Sequence, residues 1–149
     1  MRAAIDVPFG GGCACGAVRY ECSAPPLRMV NCHCQHCQIA SGSAYAPTVI
    51  MARMSVNITR GQTAAYERMA ESGNIAKREF CSKCGTPLFA SSSARLDYIG
   101  IRAASLDDPT WFRAEANVWV RSAQPWDCMD PAIPSFAKNR LRPNEKRDA

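Results

Sequence analysis

Cys32-His33-Cys34-Gln35-His36-Cys37 places three thiols within six residues, and its reading governs that of the whole chain. Thiolates are soft ligands that select zinc, copper(I) or iron–sulfur clusters. Three of them make an incomplete tetrahedron. A structural zinc site closes with four protein ligands, whereas a catalytic one keeps the fourth position for water or substrate. Adjacent residues reach one ion together only where the backbone turns sharply, so neither His33 nor His36 is an obvious fourth ligand. The segment predicts a metal site, either open or completed from elsewhere in the chain.

The flanks of this segment read as short elements. Leu27 to Val30, after the break at Pro25-Pro26, forms a short strand leading into the cysteines. Cys34 and Cys37 are three apart and share a helix face, which predicts a single helical turn from Cys34 to Ile39, stopped by Ser41-Gly42-Ser43. Towards the N-terminus, Val18, Tyr20 and Cys22 alternate with Arg19 and Glu21. That period of two is a half-buried strand, and it makes Cys22 a small core hydrophobe. Towards the C-terminus, Tyr45–Ala52, Ser55–Thr59, Ala64–Met69 and Ile75–Phe80 read as strands, the last two joined through the hairpin chemistry of Glu71-Ser72-Gly73-Asn74. Leu88-Phe89 and Tyr98–Arg102 add two more, Leu106–Pro109 is a loop or cap, and Asn117–Val120 is a last strand. Pro125, Pro131 and Pro134 keep the end irregular. Many short strands at close spacing predict a mainly β, single-domain fold of short antiparallel strands with few helical turns. The domain is expected over residues 1–137, with residues 138–149 a basic, disordered tail.

A chain of 149 residues, 47% of them apolar, buries about two-thirds of its unfolded surface, and no run approaches the length of a membrane span. Arg2, Asp6, Pro8 and three glycines at the N-terminus do not read as a signal peptide. Nine cysteines would suggest disulfides in a secreted protein. Their grouping into C-x-C, C-x-C-x-x-C and C-x-x-C clusters instead favours metal in a reducing compartment, hence the cytoplasm. The formal net charge of +5 falls to about +2 once thiolates around two divalent ions are counted. It is a weak argument for a nucleic-acid partner.

Cys13-Ala14-Cys15-Gly16 and Cys81-Ser82-Lys83-Cys84-Gly85 are far apart in sequence but complementary in chemistry. Each pair is followed by a glycine, which permits positive φ and brings backbone N–H groups close to sulfur. Together they supply the four thiolates of a closed structural zinc site. The alternatives are two unrelated reduced pairs, or a redox-active C-x-x-C, although no βαβ pattern surrounds it. Cys128, between Asp127 and Met129, is expected to be buried and inert. Completing the second metal site, or lying beside it as a reactive thiol, are the other readings.

The joint pattern of Cys13-Ala-Cys15-Gly16, Cys32-His-Cys34-Gln-His-Cys37 and Arg78-Glu-Phe80-Cys81-Ser-Lys-Cys84-Gly85-Thr86 resembles the glutathione-dependent formaldehyde-activating enzyme family, which includes the centromere protein V relatives. Leu106-Asp107-Asp108-Pro109, Pro125-Trp126 and Ile133-Pro134-Ser135-Phe136 are similar to that family's C-terminal part, so the resemblance runs from about Phe9 to Phe136. It implies a zinc-binding β-tent. It also implies two zinc ions per chain, one structural on Cys13, Cys15, Cys81 and Cys84, and one catalytic and more labile on Cys32, Cys34 and Cys37. The implied reaction adds the thiol of glutathione to formaldehyde, or in reverse cleaves a carbon–sulfur bond as a lyase. The implied partners are a glutathione-like thiol and a small aldehyde, with no membrane and no clear nucleic-acid site. Histidines titrate near neutrality, so His33 and His36 join the three cysteines as candidate catalytic residues. The chain departs from the pattern at Asn117, where similar sequences often carry a histidine. The competing class, a non-enzymatic zinc module for protein or nucleic-acid contact, predicts a closed second site and a basic or aromatic face. No fourth ligand lies near the three cysteines in sequence, and Trp111, Phe112, Trp119 and Trp126 read as core or rim.

Overall fold

The period-two stretches become strands in the computed structural model, which describes residues 4–139. A three-stranded sheet has the order β1 (Phe9–Gly12), β2 (Arg19–Cys22), β5 (Val56–Arg60). A seven-stranded sheet runs β10 (Ala116–Val118), β3 (Arg28–Cys32), β4 (Ala46–Ala52), β9 (Tyr98–Arg102), β8 (Pro87–Ser92), β7 (Ile75–Cys81), β6 (Thr63–Met69). The fold is mainly β, as the sequence predicts, with one α-helix, α1 (Gln35–Ser41), among the described residues. None of their helices is long and apolar enough to cross a membrane.

The core forms where the two sheets face each other. Tyr20 and Cys22 from the small sheet, with Val18 just before β2, meet Val49, Met51, Leu88, Phe89 and Ile101 from the large one. Tyr20 and Phe89 pack edge-to-face with ring centroids 5.2 Å apart, and the buried Tyr20 hydroxyl is 2.7 Å from Ser105 Oγ. This polar handle lets a tyrosine occupy a core position without an orphaned hydroxyl. Gly11 is required here, because a Cβ on it would collide with the Ser105 carbonyl and the Tyr20 hydroxyl. The burial of Cys22 in this cluster bears out its reading as a core residue. In β9, Ile99 through Arg102 are all buried, as befits a strand in the middle of a sheet covered on both faces.

Four details differ from expectation. The turn at Cys34–Ile39 extends to seven residues, with Cys34 as N-cap and Gly42 ending it at φ 65°. Strand β10 pairs with β3 in parallel rather than antiparallel, because the long connection from β9 returns the chain to the far edge in the same direction as β3. That strand stops at Val118: Trp119 takes φ 59° and starts a 3-10 turn over Val120–Ser122. Cys128 is exposed, not buried, since Pro125 to Pro134 forms surface turns in which Trp126 is also exposed.

The chain end is held as far as it is described. Trp119 N donates to Lys138 O at 3.1 Å, and Trp119 Nε1 donates to Asn139 Oδ1 at 2.9 Å. The rest of the expected tail, residues 140–149, lies outside the described residues. Its charged, aperiodic sequence predicts little contribution to stability. Ending the chain after Asn139 should leave the Tm of circular-dichroism melts unchanged. Ending it after Ala137 removes two hydrogen bonds of about 0.5–1.5 kcal/mol each and should lower Tm by a few degrees.

Candidate functional site

The two sulfur clusters expected from sequence are both assembled. Cys13 and Cys15 sit in the β1–β2 turn, Cys81 at the end of β7 and Cys84 in the β7–β8 turn, and their four sulfurs lie within 4.8 Å of one another. Cys13 Sγ is 3.6 Å from Cys15 Sγ, and Cys15 Sγ is 3.8 Å from Cys81 Sγ. Tetrahedral zinc–thiolate bonds of about 2.3 Å imply sulfur separations of about 3.8 Å, so this donor set fits a metal ion. Gly16 and Gly85 hold φ of 77° and 76°, the conformation expected of both turns. The Val18 N–H, 3.2 Å from Cys13 Sγ, pulls that thiol down from its ordinary pKa against the effect of burial. The Thr86 side chain and backbone hold Cys84 down to about 5.

The second cluster takes Cys32 from the end of β3, Cys34 from the helix N-cap and Cys37 from α1. Their sulfurs also lie within 4.8 Å of one another and could hold a metal ion, supplying three of the four ligands of a tetrahedral site. Cys34 Sγ accepts from the Cys37 N–H at 3.3 Å, so one sulfur both caps the helix and faces its two neighbours. Hydrogen bonds from Cys32 and Cys34 lower the Cys37 pKa strongly; burial opposes them, and Arg102 and Arg78 add to the lowering. Cys32 is pushed well up by its bonds to Cys34 and Cys37 and by burial.

A cleft of about 550 Å³ opens between α1 and the β6–β7–β8 strands, walled by Tyr66, Phe80 and Phe89 together with Arg68, Arg78, Arg102 and His36. Arg78 and Arg102 link it to the cluster, each with Nη2 3.7 Å from Cys37 Sγ. His36 Nδ1 lies 2.6 Å from Arg68 Nη1. Arginine only donates, so Nδ1 accepts and the neutral ring carries its proton on Nε2. Burial and then the charges of Arg68 and Arg78 lower the His36 pKa, which keeps this tautomer at neutral pH.

His33 stands apart from the cleft. Its ring is fully buried, with Nδ1 3.2 Å from Asn31 O and Nε2 3.0 Å from Asp127 Oδ2. Next to it, Gln38 Nε2 donates to His33 O at 2.6 Å and to Ser122 O at 2.8 Å, while its Oε1 accepts from Gln124 at 3.1 Å. These contacts pin the C-terminal segment over the cysteine loop. Asn117, the position of departure from the resemblance, is buried on β10, where its Oδ1 accepts from Asn31 Nδ2 at 3.3 Å. It does not line the cleft.

Sequence reasoning singled out all seven clustered cysteines and His36, but gave no role to Arg68, Arg78, Arg102, Gln38 or Asp127. Arg78 stood inside a quoted motif. Arg102 closes the apolar run Tyr98-Ile99-Gly100-Ile101, where a charge ordinarily marks the solvent end of a strand. Its burial comes from Thr48 of β4 and Cys37 of α1, which it contacts.

The model of the family described as "Glutathione-dependent formaldehyde-activating enzyme" matches residues 8–122. Among solved structures, a crystal structure of a Rhodobacter sphaeroides protein is similar, with 23% sequence identity and a TM-score of 0.55. The match covers 66% of this chain and 88% of that one. At that identity the likeness speaks for the fold.

The buried His33–Asp127 contact generates a stability prediction. In Asp127→Leu a fully buried imidazole loses the carboxylate oxygen 3.0 Å from its Nε2, a close contact outside hydrogen-bond geometry, at a cost of about 1–3 kcal/mol for a buried polar atom left without a polar neighbour. Thermal melts should show Tm lowered by roughly 3–10 °C. An unchanged Tm would mean that the segment around Asp127 is held by its backbone alone.

Proposed function

The chain belongs to the glutathione-dependent formaldehyde-activating enzyme family, and from that premise we propose that it is a zinc-dependent enzyme of the carbon–sulfur lyase type, joining a small glutathione-like thiol to formaldehyde or another small aldehyde. The observation that carries this reading is the unequal sulfur count of the two clusters: four on one, and three on the other, whose Cys37 meets the cleft-lining Arg78 and Arg102. Cys13, Cys15, Cys81 and Cys84 would hold a structural zinc, and Cys32, Cys34 and Cys37 a catalytic one. A zinc ion on the three cysteines supplies Lewis acidity and a position in which a thiol is kept as thiolate, its nucleophilic form.

The remaining roles fall to side chains of the cleft. Tyr66, Phe80 and Phe89 make an apolar wall that limits water around the reacting carbonyl. In the forward direction a carbon–sulfur bond forms, the carbonyl π bond breaks, the thiol proton leaves and the oxygen takes up a proton. His36 offers its Nε2–H to that oxygen and is replenished from water, while Arg68 fixes the ring through Nδ1. His33 serves instead as a brace under the cysteine loop. The grouping of seven cysteines into two sets that could hold metal ions suits a reducing compartment, and the cytoplasm is the proposed location.

Metal analysis should find two zinc ions per chain, and a weak chelator should remove one of them while the fold persists. Cys34→Ala should retain one zinc and stay folded, with Tm lowered by no more than a lost helix cap of about 0.5–2 kcal/mol, but lose thiol–aldehyde adduct formation. Adduct formation surviving in that variant, or both metals leaving together, would move the reading to a non-enzymatic zinc module. Cys84→Ser should be insoluble or destabilised by several kcal/mol, on the order expected when a folding-linked metal loses a ligand.

A further inference from the structure

Arg102 is 6% exposed, yet among the described residues neither it nor Arg78 has a carboxylate within ion-pair distance. A charge taken out of water without a counter-ion is strongly unfavourable, so the anion each guanidinium faces matters. Both face the same atom, with Nη2 of each 3.7 Å from Cys37 Sγ. Arg102 is oriented by a 2.8 Å hydrogen bond from Nη1 to Thr48 Oγ1, across the β4–β9 pairing. Arg78 is set by donation to Lys77 O at 3.3 Å, and its Nε is buried without a partner.

The four-cysteine cluster is supported differently. Its sulfurs take neutral backbone donors, with Val18 N 3.2 Å from Cys13 Sγ and Lys83 N 3.4 Å from Cys81 Sγ. Four thiolates around a divalent ion carry two negative charges and need no further ligand; three carry one. Adding two guanidiniums makes the three-cysteine centre net positive by one, which a single anionic ligand neutralises.

We infer that Arg78 and Arg102 are positioning residues that hold Cys37 and, by their charge, make the three-cysteine centre take an anionic fourth ligand, a thiolate, in preference to a neutral donor. This rests on the metal-and-thiol reading above and deepens it. Hydrogen bonds to a ligating atom fix its orientation and temper its donation to the metal, and their removal typically costs 10–100-fold, roughly, in metal affinity or activity. Arg78 also lines the cleft, so the incoming ligand meets its charge before reaching the cysteines.

The test uses the full-length protein loaded with cobalt(II), titrated with 2-mercaptoethanol as the thiol probe and imidazole as the neutral one. The parent should respond to the thiol at lower concentration than to imidazole, through its sulfur-to-cobalt charge-transfer and ligand-field bands. Arg78→Met and Arg102→Met should raise the thiol half-saturation by about 10–100-fold and leave imidazole binding little changed. Arg78→Lys, which keeps the charge, should recover most of the preference. If Arg102→Met does not fold, the half-buried Arg78 decides. Methionine variants that titrate with thiol like the parent, or lose affinity for both probes equally, overturn the inference. A parent spectrum that ignores thiol defeats the metal-and-thiol reading itself, and the inference with it, without recourse to any variant.

Discussion

Four sulfurs drawn from two sheets are the constraint on which the rest of the structure depends. Cys13 and Cys15 belong to the turn of the small sheet, Cys81 and Cys84 to a turn of the large one, and they meet within 4.8 Å. That convergence fixes how the sheets face each other. The Tyr20–Phe89 contact and the close approach of Gly11 to Ser105 follow from the same geometry. In a domain of this size the hydrophobic interface alone leaves a modest surplus over chain entropy. A cluster that ties both layers at one corner thus has a large influence on which packing is adopted.

The helix is the second organising element, and it is short for the work it does. Seven residues are too few to be stable alone. Cys34 caps its N-terminus, Gly42 ends it, and Gln38 ties it to Ser122 and Gln124. Cys37 is thereby held against Arg102 and Arg78, while His36, one residue earlier, turns to the cleft. Capping, packing and site chemistry are carried by the same residues, so changes to Gln38 or Cys34 would be felt in both the fold and the site.

Much of this was legible in the sequence, for physical reasons that can be named. Alternation along Val18–Cys22 identified a strand because one face is pressed on the core. The C-x-C and C-x-x-C pairs identified clusters because thiols at those spacings converge when the chain turns at glycine. What could not be read depends on contacts between distant segments. The parallel β10–β3 pairing is set by a long connection, and the exposure of Cys128 by a proline-rich surface turn. The burial of Arg102 depends on neighbours from β4 and α1, none of which its local sequence reveals. His33 and His36 look alike in sequence, yet one braces the C-terminal segment and the other lines the cleft.

The separation in sequence of the two clusters bears on why they should differ in lability. Cys15 and Cys81 are 66 residues apart, whereas the three-cysteine set lies within one six-residue segment. Loop-closure entropy grows as (3/2)RT ln n, so a link across the longer span constrains the unfolded chain by about 2 kcal/mol more than one across the shorter. A metal on the four-cysteine cluster would therefore add substantially to folding stability. A metal on the local set would add little, and its departure or exchange of ligands would leave the two sheets in place. Chemistry that requires a ligand to come and go is compatible with the local cluster, and a permanent staple is compatible with the dispersed one.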